Sequence, residues 1–285
     1  MTHRREQQVP DSPPRTDPPA RKFSFVELLG ELFVTVGAVL LLFGFYEAFW
    51  TNIQAGQQQN EVEKQLEQTW DSGRDTNPEP GELENRRRFH APEVGEAFAR
   101  MYVPVFGADY VFAIVEGTQD DDLLKGPGRY VDSQMPGQPG NFAVAGHRVG
   151  KGAPFNDLGN LRACDPIIIE TRTDWEIYRV LPIDVDGQAK VDAAAACLSQ
   201  KQAEELVGGK YGDLTGRHIT YPGDIGVTFA VPHKQDTPTD DDEALLTLTT
   251  CHPQFSNKQR MIIHAMLERT EKKENGHKPT EMEQS

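Results

Sequence analysis

The sequence predicts an all-β domain, a barrel or a sandwich, preceded by one apolar helix of membrane-crossing length. Three observations lead there. From Ala99 onward the chain breaks into short apolar runs rich in Val, Ile, Thr and aromatics, bounded by Gly, Pro or Asp, the pattern of short strands joined by turns. Upstream lies "FSFVELLGELFVTVGAVLLLFGFYEAFW", whose centre has no polar face. Between the two is a polar stretch with only a thin apolar stripe.

Composition excludes several classes. The chain has 285 residues and a formal charge of -15, enough for one ordinary domain with extensions or for two small ones. An acidic balance argues against a nucleic-acid partner, because phosphate contacts need clustered Lys and Arg. No GxxxxGK[ST] or GxGxxG pattern occurs, so no phosphate-binding loop is expected. Three cysteines without a CxxC pair suggest neither a disulfide-dense scaffold nor a zinc site. No cofactor and no metal are expected.

Taken in order, residues 1–22 are rich in Pro, Arg and polar groups and read as a disordered tail. Residues 23–51 read as a transmembrane anchor. The run from Leu28 to Trp50 is long enough for a hydrocarbon core, which takes roughly 20 residues. Glu31 and Glu47 lie near its ends, and Tyr46 and Trp50 suit an interfacial belt. The rival reading is a cleaved signal peptide, but the run starts late and no A-x-A site follows. Arg4, Arg5, Arg15, Arg21 and Lys22 precede it, and the flank after it is acidic. The positive-inside rule then puts the N-terminus in the cytoplasm and the remainder outside. Residues 52–90 read as an extracytoplasmic linker or stalk, although "NEVEKQLEQTW" has the makings of a short helix. A domain over 91–270 follows. Its expected strands are "MYVPVF", "YVFAIVEG", "NFAVAGH", "DPIIIET", "EIYRVLPI", "VTFAV", "LLTLTTC" and "RMIIHAML", with a helix at "SQKQAEELVGG". "HKQDTPTDDDEA" reads as a solvated loop, and residues 271–285 as a disordered tail.

Chemistry concentrates at "TLTTCHPQFSNKQR". Alternation on a strand puts Leu245, Thr247, Thr249 and Cys251 on one face. Eight residues connect this run to the next. If the two form a hairpin, Arg260 lies opposite Cys251 on the same face. A guanidinium beside a thiol has two uses. It favours thiolate over thiol, and it donates hydrogen bonds to an oxyanion or a substrate carbonyl. The bland reading is a surface arginine near an inert cysteine. A thiol nucleophile also needs a proton-handling partner. His252 is adjacent and so points to the opposite face, which also disfavours a metal site built from Cys251, His252 and His147. His264 shares the face but stands further from the loop. His147 ends the run "NFAVAGH" and opens a Gly-rich loop, "RVGKGAPF", where a rigid scaffold presents functional side chains. A hydrogen-bonded strand-end histidine is the alternative.

"TLTTC" followed by Arg260, together with "NFAVAGHRVGKGAPFNDL", resembles the signature segments of sortases. "MPGQPGNFAVAGHRVGKGAPF" with "LTLTTCHP" is most similar to class E sortases of high-GC Gram-positive bacteria. The resemblance spans roughly residues 95–270. It implies an eight-stranded β-barrel with short helices and transpeptidation at an LAxTG-like sorting signal of secreted proteins. Cys251 would be the nucleophile, His147 the general acid and base, and Arg260 the group that positions substrate and oxyanion. The acceptor would be an amine of a cell-wall precursor such as lipid II, or a pilin lysine. The resemblance also hints that Tyr110 lines the groove, and Thr249 would help orient the site. A packing role is open for both. The stretch between "EIYRV" and "LLTLTTC" is long and carries "VDAAAACLSQKQ", where sortases place a substrate-covering loop and helix. Cys164 and Cys197 are extra cysteines that outside the membrane have a route to pairing. Some sortases bind calcium, but "DDD" at 240–242 reads as solvated loop. Two rival functions stay open: a thiol hydrolase using water as acceptor, and a non-catalytic surface-binding barrel.

Overall fold

The computed structural model describes residues 24–46, 51–72, 92–150, 152–274 and 276–283. The expected disordered tail over 1–22, the anchor residues Glu47 and Trp50, and the linker beyond residue 72 lie outside these. Helix α1, Phe25–Phe45, has 21 residues and buries none of them. At 1.5 Å per residue it is about 31 Å long, which matches a hydrocarbon core of roughly 30 Å. It forms a unit by itself.

The second unit is a barrel. Its strands are β1 (Ala97–Tyr102), β2 (Val111–Glu116), β3 (Gly128–Arg129), β4 (Gly140–Ala145), β5 (Pro166–Glu170), β6 (Asp174–Val180), β7 (Arg217–Thr220), β8 (Ala244–His252) and β9 (Gln259–Lys272). Eight of them close a ring in the order β6-β5-β1-β2-β3-β4-β8-β9, with β9 returning to β6. β7 pairs with the first part of β9, and β6 takes over that edge further along. β2–β3 and β4–β8 are parallel. Inside the ring, Met101, Ile114, Phe142, Val144, Ile167, Tyr178, Leu246, Leu248 and Ile263 form one buried cluster. These residues alternate with outward ones along each strand, as a closed sheet requires.

The ring has the expected eight strands, but not from the expected eight runs. "VTFAV" is no strand: Ile225–Thr228 is a 3-10 turn, and Asn141 Nδ2 takes the carbonyls of Val227 and Phe229 in place of a ladder. The two-residue β3 stands in the ring instead. It needs Gly128, because a Cβ there would lie 2.0 Å from the Gly117 carbonyl oxygen.

Between β6 and β7 the chain makes an excursion through α4 (Gly187–Ala195) and α5 (Gln200–Gly208). A single turn, α3 (Asp120–Leu123), follows β2. Ser199 caps α5 with a reciprocal Ser–Gln box. Leu198, Leu206 and Tyr211 of the excursion pack on Leu245 and Met266, on the barrel's outer face. A disulfide joins Cys164, before β5, to Cys197, after α4. A loop of that span stabilises a fold by roughly 2–4 kcal/mol.

Two stretches differ from expectation. Residues 52–72, expected as linker, belong to helix α2 (Thr51–Ser72). Its Val62, Leu66 and Trp70, four apart and so on one face, pack on Ala113 and Val115 of β2. Trp70 also meets the Arg100 guanidinium at 4.8 Å and Lys273 Nζ at 4.2 Å. Residues 271–274 and 276–283, expected as part of a disordered tail, are also built in. β9 runs on to Lys272. Glu281 then accepts from Arg269 at 2.9 Å and from Arg179 at 2.5 Å, while Met282 packs beside Trp175. Two arginines, one of them from distant sequence, hold a stretch whose own composition is polar.

Candidate active site

β8 and β9 form the hairpin that the alternating pattern requires. Cys251 stands directly opposite Arg260, and the ladder extends one pair further to His252 and Gln259. Both side chains are on the outer face, away from the barrel core. Cys251 is half-buried and keeps a free thiol. Arg260 Nη1 donates to the carbonyls of Asn257 and Gln259, each at 3.1 Å, so its planar fork is held at the rim of the site.

β4 runs parallel to β8 on the other side, with Ala145 level with Thr249. The Gly146 amide donates to the Thr249 carbonyl at 3.1 Å, and Thr250 Oγ1 donates to the Gly146 carbonyl at 2.7 Å. His147 follows two residues beyond Ala145, the last residue of β4. The chain then turns back, and the Phe155 amide donates to the His147 carbonyl at 2.9 Å. Gly146 makes this turn possible: a Cβ there would sit 2.5 Å from the buried Phe155 ring. The structure therefore brings Cys251, Arg260 and His147 to one end of three adjacent strands.

Thr249 lies one step back on the Cys251 face and bonds the Tyr130 hydroxyl at 2.9 Å. Beside them opens a cleft of about 370 Å³, walled by Tyr130, Tyr221, Ile225, Val227 and Phe229 and floored by Thr249, Arg260 and Ile262. Tyr110 is elsewhere. It packs between Phe106 and Phe112 and donates its hydroxyl to the Pro154 carbonyl. It braces the loop after His147 and is not among the residues that line the cleft.

The two rival histidines, His252 and His264, are committed. His252 Nδ1 meets Arg148 Nη1 at 2.7 Å, and burial followed by that guanidinium holds its pKa below the ordinary value. Arg148 also donates to the Cys251 carbonyl at 3.3 Å. His264 is fully buried, bonded to Thr247 Oγ1 at 2.8 Å. Burial, then the neighbouring His218 and His233, push its pKa down to about 3.

Sequence reasoning missed Tyr130 and Arg148. Arg148 carried a usable signal, since it follows a strand-end histidine and so faces the opposite way. Tyr130 carried none, because it follows a strand too short to show a period. The "DDD" loop is solvated at Asp240 and Asp241, which are exposed, but not at its last residue. Asp242 is buried and accepts from the Thr239 amide at 2.8 Å and from Lys210 Nζ.

A family model described as "Sortase domain" matches residues 101–268. Sortase SrtE1 of Streptomyces coelicolor is 29% identical over 242 residues, covering 82% of this chain and 55% of that protein. The chain thus spans about half the length of that relative. Sortase SrtE2 of the same organism is 27% identical over 259 residues, covering 87% and 83%. Among solved structures, the SrtF sortase from Corynebacterium diphtheriae superposes with a TM-score of 0.67 at 55% identity, covering 69% of this chain and 97% of that one.

Proposed function

Because the chain belongs to the sortase family, we propose that it is a membrane-anchored cysteine transpeptidase in which Cys251 is the nucleophile, His147 the proton carrier and Arg260 the oxyanion partner. The observation that carries this reading is the direct cross-strand pairing of Cys251 with Arg260, beside the end of β4 that presents His147.

The substrate is an LAxTG-like sorting signal of a secreted protein, laid in the cleft beside Thr249. The Cys251 thiolate attacks the threonine carbonyl carbon. Charge moves to the carbonyl oxygen, within reach of the Arg260 donors. The carbon–nitrogen bond to glycine then breaks, and protonated His147 gives its proton to the leaving amine. This leaves a thioester on Cys251 and a neutral imidazole. An incoming amine, from a wall precursor such as lipid II or a pilin lysine, attacks the thioester and passes its proton to His147. The thiolate leaves, and both groups return to their starting states. Thr249 and Tyr130 shape the floor beside the nucleophile.

The anchor is α1, long and apolar enough to span a membrane. The basic residues before it support an N-terminus in the cytoplasm and a barrel outside. One assay separates transfer from hydrolysis. With an LAxTG peptide and an amine acceptor such as triglycine, the expected product is the ligated peptide. Free threonine acid as the sole product, at every acceptor concentration, would make the enzyme a hydrolase.

A further inference from the structure

Asn141, Thr247 and His264 stand on three neighbouring strands, β4, β8 and β9, and none has exposed surface. They form one chain of hydrogen bonds. Thr247 Oγ1 donates to Asn141 Oδ1 at 2.8 Å. Asn141 Nδ2 donates to the carbonyls of Val227 and Phe229 at 3.1 and 3.0 Å. Thr247 Oγ1 meets His264 Nδ1 at 2.8 Å.

The directions in this chain are forced. Two carbonyls can only accept, so the asparagine must show them its NH2 group. Its oxygen then faces Thr247, and the hydroxyl proton is used there. Thr247 must therefore accept from His264, which holds its proton on Nδ1. Turning the asparagine over would set its oxygen against two carbonyl oxygens, acceptor against acceptor. A buried chain bonded in this order favours one geometry, because each broken bond strands a desolvated group.

Val227 and Phe229 belong to the wall of the cleft. The wall has its own anchor at its start, where Thr220 Oγ1 donates to Asp224 Oδ2 at 2.6 Å. Beyond Asp224 the wall is a 3-10 turn without strand pairing. We propose that Asn141, held by Thr247 and His264, is a positioning residue that sets the peptide preference of the cleft by fixing the wall at Val227 and Phe229. It touches neither the thiol nor the peptide. Its influence on binding rests on the reading that the sorting peptide occupies this cleft.

The test uses the full chain in detergent, with four variants. Thr247→Val keeps the shape and deletes the hydroxyl, and Asn141→Ala removes the tether. Thr247→Ser keeps the relay. Asn141→Asp keeps the acceptor for Thr247 and turns the two donors into an acceptor. Hydrogen–deuterium exchange read over residues 225–233 should rise at least about tenfold in Asn141→Ala, Asn141→Asp and Thr247→Val, and stay near wild type in Thr247→Ser. Strands β4 and β8 should remain protected. With a fluorogenic LAxTG peptide, the same three variants should raise KM by about five- to tenfold with kcat within about twofold. They should also narrow the preference for Leu over Ala at the first signal position. Unchanged exchange in the wall would overturn the tether. Faster wall exchange with unchanged KM and unchanged preference would overturn its part in selection. If wild type forms no acyl-enzyme with the peptide, the functional reading fails, and exchange still decides whether Asn141 holds the wall.

Discussion

Cys251 and Arg260 meet because two strands of strict alternation are joined by a short hairpin, and this pairing fixes separation as well as face. Arg260 is held by two backbone carbonyls, so its remaining donors present a fixed edge. Arg260→Lys keeps the positive charge and loses that planar fork. We expect kcat/KM for an LAxTG peptide to fall about a hundredfold or more, while peptide-independent alkylation of the thiol proceeds nearly as before. Near-normal turnover would show that charge alone suffices. His264 gives a second prediction at this scale. Its folded pKa, about 3, lies below its ordinary value of 6.5, so the unfolded chain takes the proton first. Acidification through that window therefore favours unfolding, and above about 6.5 the effect vanishes. His218, whose ring stacks at 5.4 Å, is shifted in the same direction by burial. In urea titrations, wild-type stability relative to His264→Gln should fall by up to about 1.4 kcal/mol per pH unit between roughly pH 6.5 and 3. A difference that stays flat across this range would contradict the buried neutral state. Depressed carboxylates such as Glu271 and Glu281 destabilise in acid too, but they are common to both proteins and cancel.

Among the elements, α2 matters most to the limits of the folded body. Its docking face is three apolar residues wide, and Arg100 ties it further through Glu63 and Glu67. Leu66 is almost fully buried in that contact. In a chain starting at Thr51, Leu66→Ala should lower unfolding free energy by about 2–5 kcal/mol. A change near zero would return the segment to the status of a linker. The helix was hard to read in the sequence for a physical reason. Three apolar side chains among polar ones bury little by themselves, and only the exposed face of β2 makes their burial worthwhile. β7 and β3 were missed for a related reason: at four and two residues, each is too short to show alternation. β8 and β9 were legible because their alternation runs over many residues and ends at a turn-rich loop. "VTFAV" misled because its apolar composition serves a cleft wall held by side-chain bonds in place of a ladder.

For the molecule as a whole, the closed ring gathers the ends of β4, β8 and β9 on one rim, so that the Cys251–Arg260 pair of one hairpin stands beside the strand end that leads to His147, about a hundred residues earlier. The placing of Cys251 opposite Arg260 was legible because both sit at strand ends of one hairpin, where face and level follow from period and register. The relay from Asn141 to His264 was not, since it depends on which strands become neighbours and on a wall returning over them from more than eighty residues away. The ring leaves a single thiol, because the chain's other two cysteines are bridged. The central claim is that this thiol takes the acyl group of a sorting signal. Intact-mass analysis of the full chain, quenched in acid after mixing with an LAxTG peptide, tests it most directly. The expected product is an adduct equal to the peptide cut after threonine, removed by hydroxylamine, located on Cys251 and absent from Cys251→Ala. An adduct that persists in Cys251→Ala, or a wild-type chain that cleaves the peptide with no thioester on Cys251 under any quench, would contradict it.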